Sequence, residues 1–183
     1  AFTQILHINE FAKIVSAIAY DSSLFERCLN LLIHFHILDF SDKDKRSVEA
    51  IIETLFFIQY SRTHAPIDLR IKIVEKLLSS DSEIEENLGY SLLGTLLKAE
   101  NFRPAHEFTY YNRKYNDFGY YPKSAEEINN WYTITINFCQ KLRMEDGKKR
   151  ESIKVLLAQN FDGLWVVAKY GFQELLESIS RDI

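Results

Sequence analysis

Apolar residues recur along this chain at intervals of three and four, the spacing that places them on one face of an α-helix. Before residue 100 the pattern predicts five helices, joined by short polar or proline-containing turns. Helix pairs follow one another about every 40 residues, the period of HEAT-like arrays. We therefore predict an all-α fold in which residues 1–100 form stacked antiparallel helical hairpins, as a HEAT-like array or an α-α superhelix.

Residues 124–183 also have a helical pattern, and local signals suggest where individual helices begin and end. A Ser-x-x-Glu pair predicts a helix start, because the serine oxygen can accept a hydrogen bond from the backbone N–H three residues later. Such pairs begin at Ser23, Ser82 and Ser124. We further predict a third helix over residues 46–60, a seventh that ends near residue 157, and two short helices over residues 161–179 that are separated at Gly171.

Residues 101–123 interrupt this helical pattern, and we call them the aromatic segment. They contain eight aromatic residues and two of the three prolines. A long irregular stretch inside a compact domain is usually either functional or packed by its own side chains. Two interpretations therefore stay open: a plug between the two halves of the helical stack, or a binding surface, since tyrosine and arginine are enriched at binding hot spots. The candidate binding residues are Arg103, His106, Tyr110, Tyr111, Arg113, Tyr115, Tyr120 and Tyr121.

Composition and charge limit the class of protein. The 183 residues predict one domain, and 46% hydrophobic with 26% charged residues is typical of a globular chain. A net charge of −4 gives no overall positive potential, which argues against nucleic acid as a partner. No apolar run approaches the ~18 residues of a membrane-spanning helix, so we predict no membrane partner.

The cysteines indicate the compartment. Cys28 and Cys139 lie far apart, each within an apolar helical pattern, which suits free thiols in a reducing environment better than a disulfide framework. We therefore predict a cytoplasmic protein. Because the sequence begins with Ala-Phe-Thr rather than Met, we also interpret it as part of a longer protein.

No motif predicts catalysis, a metal or a cofactor. Gly89 and Gly94 have the spacing of a phosphate loop, but Thr-Leu follows where Lys-Ser or Lys-Thr is required, so we expect them to permit close helix packing. His34 and His36 lie two residues apart and would point to different faces of a helix, so they do not form a metal site. Cys139 borders an apolar helical face and is interpreted as an inert core thiol.

Two segments resemble a known class of protein. The first is Asp-Phe-Gly-Tyr-Tyr-Pro-Lys-Ser at residues 117–124, continuing to Trp131 and Tyr132. The second is Phe-Asp-Gly-Leu-Trp at residues 161–165, followed by a Leu-Leu pair. Together they resemble the C-terminal helical regions of large bacterial multidomain proteins of the STAND NTPase or defence-associated kind. The resemblance covers the C-terminal half and implies a HEAT-like region that senses a partner or packs against an ATPase core.

Our first hypothesis is a non-catalytic scaffold or sensor module that binds another protein or another domain of the same polypeptide. One alternative is a small-ligand or enzymatic domain with a pocket under the aromatic segment, around His106, Glu107 and Tyr111. A further alternative is single-stranded nucleic-acid binding, in which residues 148–150 and 113–114 supply positive charge and tyrosines stack on bases.

Overall fold

The computed structural model describes residues 2–38, 41–104, 117–145 and 147–181. These residues contain eight α-helices, a short 3-10 turn and no β-strand, which confirms the predicted all-α class. The first five helices are α1 (Phe2–Ile18), α2 (Ser22–Ile37), α3 (Asp42–Thr54), α4 (Ile67–Leu78) and α5 (Glu83–Leu97). They are followed by α6 (Ala125–Arg143), α7 (Gly147–Val167), the 3-10 turn (Ala168–Tyr170) and α8 (Gln173–Ser180). None of the described helices combines the length and apolar composition that a membrane crossing requires.

Helix α5 lies at the centre of the packing. It contacts α2, α3, α4, α6 and α7, while α1, α2 and α3 contact one another at one end of the chain. Leu88, Leu92 and Leu96 of α5 are buried in a cluster of apolar side chains to which every helix contributes. Burial of this apolar area is the main force that holds the helices together.

The two glycines of α5 lie where neighbouring helices approach closely. A Cβ atom on Gly89 would be 3.0 Å from the Leu78 side chain, and one on Gly94 would be 3.2 Å from Leu156. The interpretation of these glycines as packing residues is therefore confirmed.

Helix α6 is tied to α5 by the polar ends of two buried aromatic residues. The indole N–H of Trp131 donates to the Leu96 carbonyl at 3.0 Å, and the Tyr132 hydroxyl donates to the Lys98 carbonyl at 3.0 Å. Carbonyl groups at a helix C-terminus have no partner within the helix, so these side chains satisfy acceptors that would otherwise be buried without one. The rings thus add hydrogen bonds to a large burial of apolar area.

Two predicted helix boundaries are wrong. The third helix ends at Thr54 rather than at residue 60, and residues 55–66 form an irregular, largely buried loop. The seventh helix does not end near residue 157 but continues without interruption to Val167. Gly163 lies within it and faces Ala99, with 3.4 Å between the Ala99 Cβ and the place a glycine Cβ would occupy. The predicted break at Gly171 is confirmed, and its φ of 123° requires glycine.

The three predicted caps have different outcomes. Ser124 accepts a hydrogen bond from the Glu127 N–H at 3.2 Å, as predicted. At α2 the prediction is wrong, because Asp21 and not Ser23 precedes the helix and accepts from its first turn. Ser82 occupies the N-cap position of α5 but makes no capping bond through its side chain.

The packing of α5 against α4 yields a prediction about Gly89. We expect Gly89→Val to lower the free energy of unfolding by about 1–3 kcal/mol, because the added methyl groups must displace the tightly packed side chains of Leu77 and Leu78. Chemical denaturation followed by far-ultraviolet circular dichroism measures the change. Asn87→Val, on the exposed side of the same helix, is the matched control. Equal stability of the two variants would contradict close packing at Gly89.

Candidate functional site

The eight predicted binding residues fall into two groups. His106, Tyr110, Tyr111, Arg113 and Tyr115 lie outside the described residues, as does the proposed pocket around His106, Glu107 and Tyr111. Arg103, Tyr120 and Tyr121 are described: Arg103 and Tyr121 are exposed, and Tyr120 is partly buried. The described end of the aromatic segment, residues 117–123, therefore forms the candidate site together with the residues it contacts.

This end of the segment is fixed by backbone hydrogen bonds to the loop of residues 55–66. The Arg62 N–H donates to the Phe118 carbonyl at 2.7 Å, and the Tyr120 N–H donates to the Thr63 carbonyl at 2.7 Å. Both bonds are short and pair two irregular stretches as neighbouring strands would pair. They determine which side chains of the segment face the core.

Gly119 permits this approach. Its φ of 89° lies in a region that side chains rarely adopt, and a Cβ there would lie 2.3 Å from the backbone nitrogen of Thr63. The facing atoms are backbone and cannot rotate away. A residue without a side chain is therefore required at this position.

The described end of the segment, residues 117–123, begins with a network around Asp117. Its carboxylate accepts hydrogen bonds from the Tyr20 hydroxyl at 2.6 Å and from the Gly119 N–H at 3.0 Å. The imidazole Nε2 of His64 lies 3.3 Å from the same carboxylate. Burial raises the pKa of Asp117, but the hydrogen bonds from Tyr20 and Gly119 and the contact with His64 outweigh it and hold the pKa below its ordinary value of 3.8.

The loop that receives the segment has an unusual backbone. Tyr60 and Arg62 both have left-handed φ values, of 58° and 63°, although neither is glycine. Such conformations are uncommon and require support from surrounding contacts. Part of that support comes from Thr63, whose hydroxyl donates to the Ala19 carbonyl at 2.6 Å and accepts from the Ala65 N–H at 3.1 Å.

Arg70 supplies further donors under this loop and is completely buried. Its guanidinium donates to the carbonyl oxygens of Ala65 and Phe57, at 3.1 and 2.8 Å, and to the Ser61 hydroxyl at 3.3 Å. The same group lies 5.0 Å from the centre of the Trp131 ring, a cation–π distance. Burial lowers the pKa of Arg70 to about 9, while the group stays protonated at neutral pH.

The side chain of Tyr120 packs inward against Trp131. Its ring stacks on Trp131 with 5.7 Å between the ring centres and 15° between the planes. Burial, together with the charge of Glu127, raises the pKa of the Tyr120 hydroxyl. The contacts of Tyr120 with the core are those that the plug interpretation of the aromatic segment predicts.

Tyr121 lies on the outside, where 53% of its surface is exposed. Its ring centre is 6.3 Å from that of Tyr60, which is itself 42% exposed and lies 5.9 Å from the Phe118 ring. We call Tyr60, Phe118 and Tyr121 the aromatic surface. Sequence reasoning missed Tyr60 because it was assigned to the end of a helix, and its left-handed backbone has no signal in the local sequence.

Cys139 does not belong to this surface. Cys139 is fully buried, and burial raises the pKa of its thiol to about 12, so it is protonated at neutral pH. Among the described residues no cluster of three or more His, Cys, Asp or Glu side chains is arranged to hold a metal ion. What the site offers chemically is aromatic area, hydroxyl groups and a rigid backbone.

The approach of Gly119 to Thr63 gives a prediction. We expect Gly119→Ala to lower the free energy of unfolding by about 1–3 kcal/mol and to open the aromatic segment to proteases, because the new Cβ meets backbone atoms in a strained conformation. Thermal unfolding and limited proteolysis measure the two effects. Gly147→Ala is the control, since Gly147 also has a positive φ but no atom within 4 Å of the added carbon. Equal behaviour of both variants would show that the segment is not fixed at Gly119.

The Asp117 network gives a prediction about pH. Because the pKa of Asp117 is lower in the folded chain than its ordinary value, its ionised form stabilises the fold above pH 3.8, and this contribution is lost as the pH falls through the folded-state value. We expect the thermal midpoint of the wild type to drop more between neutral pH and about pH 3 than that of Asp117→Asn. Parallel curves for the two proteins would exclude a stabilising role for the Asp117 carboxylate.

Comparison with known proteins gives no match: no family model, curated protein or solved structure matches this chain. The resemblance to large bacterial multidomain proteins therefore stays a hypothesis.

Proposed function

We propose that this chain is a non-catalytic helical module that binds another protein, or another domain of the same polypeptide, through its aromatic surface. The observation that carries the proposal is the exposure of Tyr60 and Tyr121 above a buried loop whose backbone is held by hydrogen bonds from Arg70. Tyrosine is enriched at binding hot spots because its ring provides large apolar area and its hydroxyl can bond to a partner.

The fixed backbone beneath the aromatic surface makes this surface suited to binding. The backbone beneath Tyr60 and Tyr121 is fixed by the bonds to Phe118 and Thr63 and by the guanidinium of Arg70. A surface that is already ordered loses little conformational entropy on association. Most of the binding free energy of the rings would then remain available as affinity.

The arrangement of the helices supports a scaffold role. Successive helices contact each other as the pairs α1–α2, α4–α5 and α6–α7, as the hairpins of a helical stack would, while α3 packs against α1 and α2. In this proposal the helices are a rigid support, and the contact residues lie in the aromatic segment and in the loop of residues 55–66. Location in the cytoplasm fits the two buried free cysteines, Cys28 and Cys139.

Replacement of the two exposed tyrosines tests the proposal. We expect Tyr60→Asn combined with Tyr121→Ser to reduce affinity for the partner at least about tenfold, since each hot-spot ring contributes more than about 1 kcal/mol. Asparagine is chosen at position 60 because it tolerates the left-handed backbone there. The partner is first isolated on immobilised wild-type protein from an extract of the source cells, and its affinity is then measured with purified components.

A second double variant controls for general loss of apolar surface. Val155→Ser with Val166→Ser removes two exposed apolar side chains from α7 and should leave partner affinity unchanged. Both double variants should keep the wild-type thermal midpoint, since surface substitutions usually change stability by less than about 0.5 kcal/mol. Full partner binding by the tyrosine variant would refute the proposal, and so would a large fall in its midpoint, which would identify the rings as core.

A further inference from the structure

A cleft of about 530 Å³ opens where α6 ends and α7 begins. Of the six described residues that line it, four are cationic and none is a carboxylate. The lining consists of Gln140, Lys141, Arg143, Met144, Arg150 and Lys154. We call this the basic cleft, and it is distinct from the aromatic surface in both its residues and its charge.

The turn between the two helices brings these charges together. Lys141 and Arg143 belong to the last turn of α6, while Arg150 and Lys154 lie one helical turn apart on α7. The Nε of Arg150 donates to the Arg143 carbonyl at 3.1 Å, which holds its side chain against the end of α6. That bond uses one of the five N–H groups of the guanidinium and leaves the planar fork of the others for an acceptor in the cleft.

Among the described residues, carboxylates compensate the charges of Lys154 and Arg150 only weakly. Lys141 pairs with Glu75 at 2.6 Å, whereas Lys154 lies 4.0 Å from an exposed Glu151, at the limit of an ion pair. Among the described residues, no carboxylate forms an ion pair with Arg150. Like charges gathered this closely repel one another, and an anion between them would remove that cost.

We propose that the basic cleft binds a small compound with a chain of phosphate groups, such as a nucleoside triphosphate or inorganic triphosphate. Its volume lies within the roughly 300–1,000 Å³ typical of small-molecule sites. Guanidinium forks match the geometry of phosphate oxygens, and lysines add point charges beside them. The amide of Gln140 provides a further donor, and Met144, which is 85% exposed, provides an apolar wall at the rim.

The concave shape favours a small ligand over a polymer. A nucleic-acid strand needs a groove that follows its backbone over several nucleotides. The six residues here line one short, open cleft instead, and the whole chain carries a net charge of −4 that repels a long polyanion. A short phosphate chain can enter the cavity and reach both helices at once.

Titration calorimetry with inorganic triphosphate tests this assignment on the full chain. We expect a dissociation constant below about 1 mM at moderate ionic strength, and a rise in the thermal midpoint when the ligand is present. Arg150→Gln combined with Lys154→Gln should weaken binding about tenfold or more, because two charge-assisted contacts are lost. Absence of binding by the wild type at several times this concentration would overturn the proposal.

A matched variant separates the cleft from general electrostatic attraction. Lys43→Gln with Arg46→Gln removes one lysine and one arginine from the exposed side of α3, so both double variants have the same net charge. The α3 variant should bind as the wild type does. Equal weakening in both variants would show that the anion is attracted by overall charge and not held in the cleft.

Two further ligands show whether the cleft recognises only phosphate groups or also the nucleotide that carries them. Equal affinity for adenosine triphosphate and inorganic triphosphate assigns recognition to the phosphates alone, and tighter binding of the nucleotide adds a contact with the base. A single-stranded oligonucleotide tests the opposing assignment, in which the cleft is part of a nucleic-acid surface. If it binds more tightly than either triphosphate, and Arg150→Gln with Lys154→Gln abolishes that binding, the cleft belongs to a nucleic-acid surface and the small-ligand assignment is wrong.

Discussion

The burial of the Arg70 guanidinium is the interaction on which the centre of this fold depends. A charged group removed from water is strongly destabilising unless its hydrogen bonds are restored. Here neutral acceptors in the loop of residues 55–66 restore them, and the Trp131 ring adds a cation–π contact. The dependence is mutual. An irregular loop cannot be buried unless its carbonyl groups find donors, and Arg70 brings several donors to one place.

Trp131 connects the buried Arg70 to the aromatic segment, because its ring contacts both Arg70 and Tyr120. The ring contacts Arg70, stacks with Tyr120 and bonds to the end of α5, so three separate parts of the chain meet at one side chain. Tyr120 and Tyr121 are neighbours in sequence but lie on opposite sides of the segment, one against the core and one exposed. Tyr120 makes the contacts that the plug interpretation predicts, whereas the exposed Tyr121 is free of the core and is the residue to which the binding-surface hypothesis applies.

The sequence predicted those features that depend on local periodicity. The helices of residues 1–100 and the cap at Ser124 follow from the spacing of apolar residues and from one serine, and the structure contains them. The end of α3 was mispredicted because Phe56 and Ile58 continue the apolar pattern beyond the last helical residue. Beyond the helix the chain forms the loop of residues 55–66, in which Tyr60 and Arg62 have a left-handed backbone and Arg62 pairs with Phe118, which is distant in sequence. No local pattern records such a contact, and for the same reason Tyr60 was absent from the predicted site.

The two candidate sites differ in how far they depend on this centre. The aromatic surface rests directly on it, so a substitution beneath the rings, at Gly119 or Arg70, would disturb the surface and the fold together. The basic cleft is built from the last turn of α6 and the first turns of α7, where Lys141, Arg150 and Lys154 reach solvent or the rim of the cavity. Its charges contribute little to stability because exposed ion pairs are weak. Substitutions in the basic cleft should therefore change ligand binding with little effect on stability. Substitutions in the hydrogen-bonded loop beneath Tyr60 and Tyr121 should instead destabilise the fold itself.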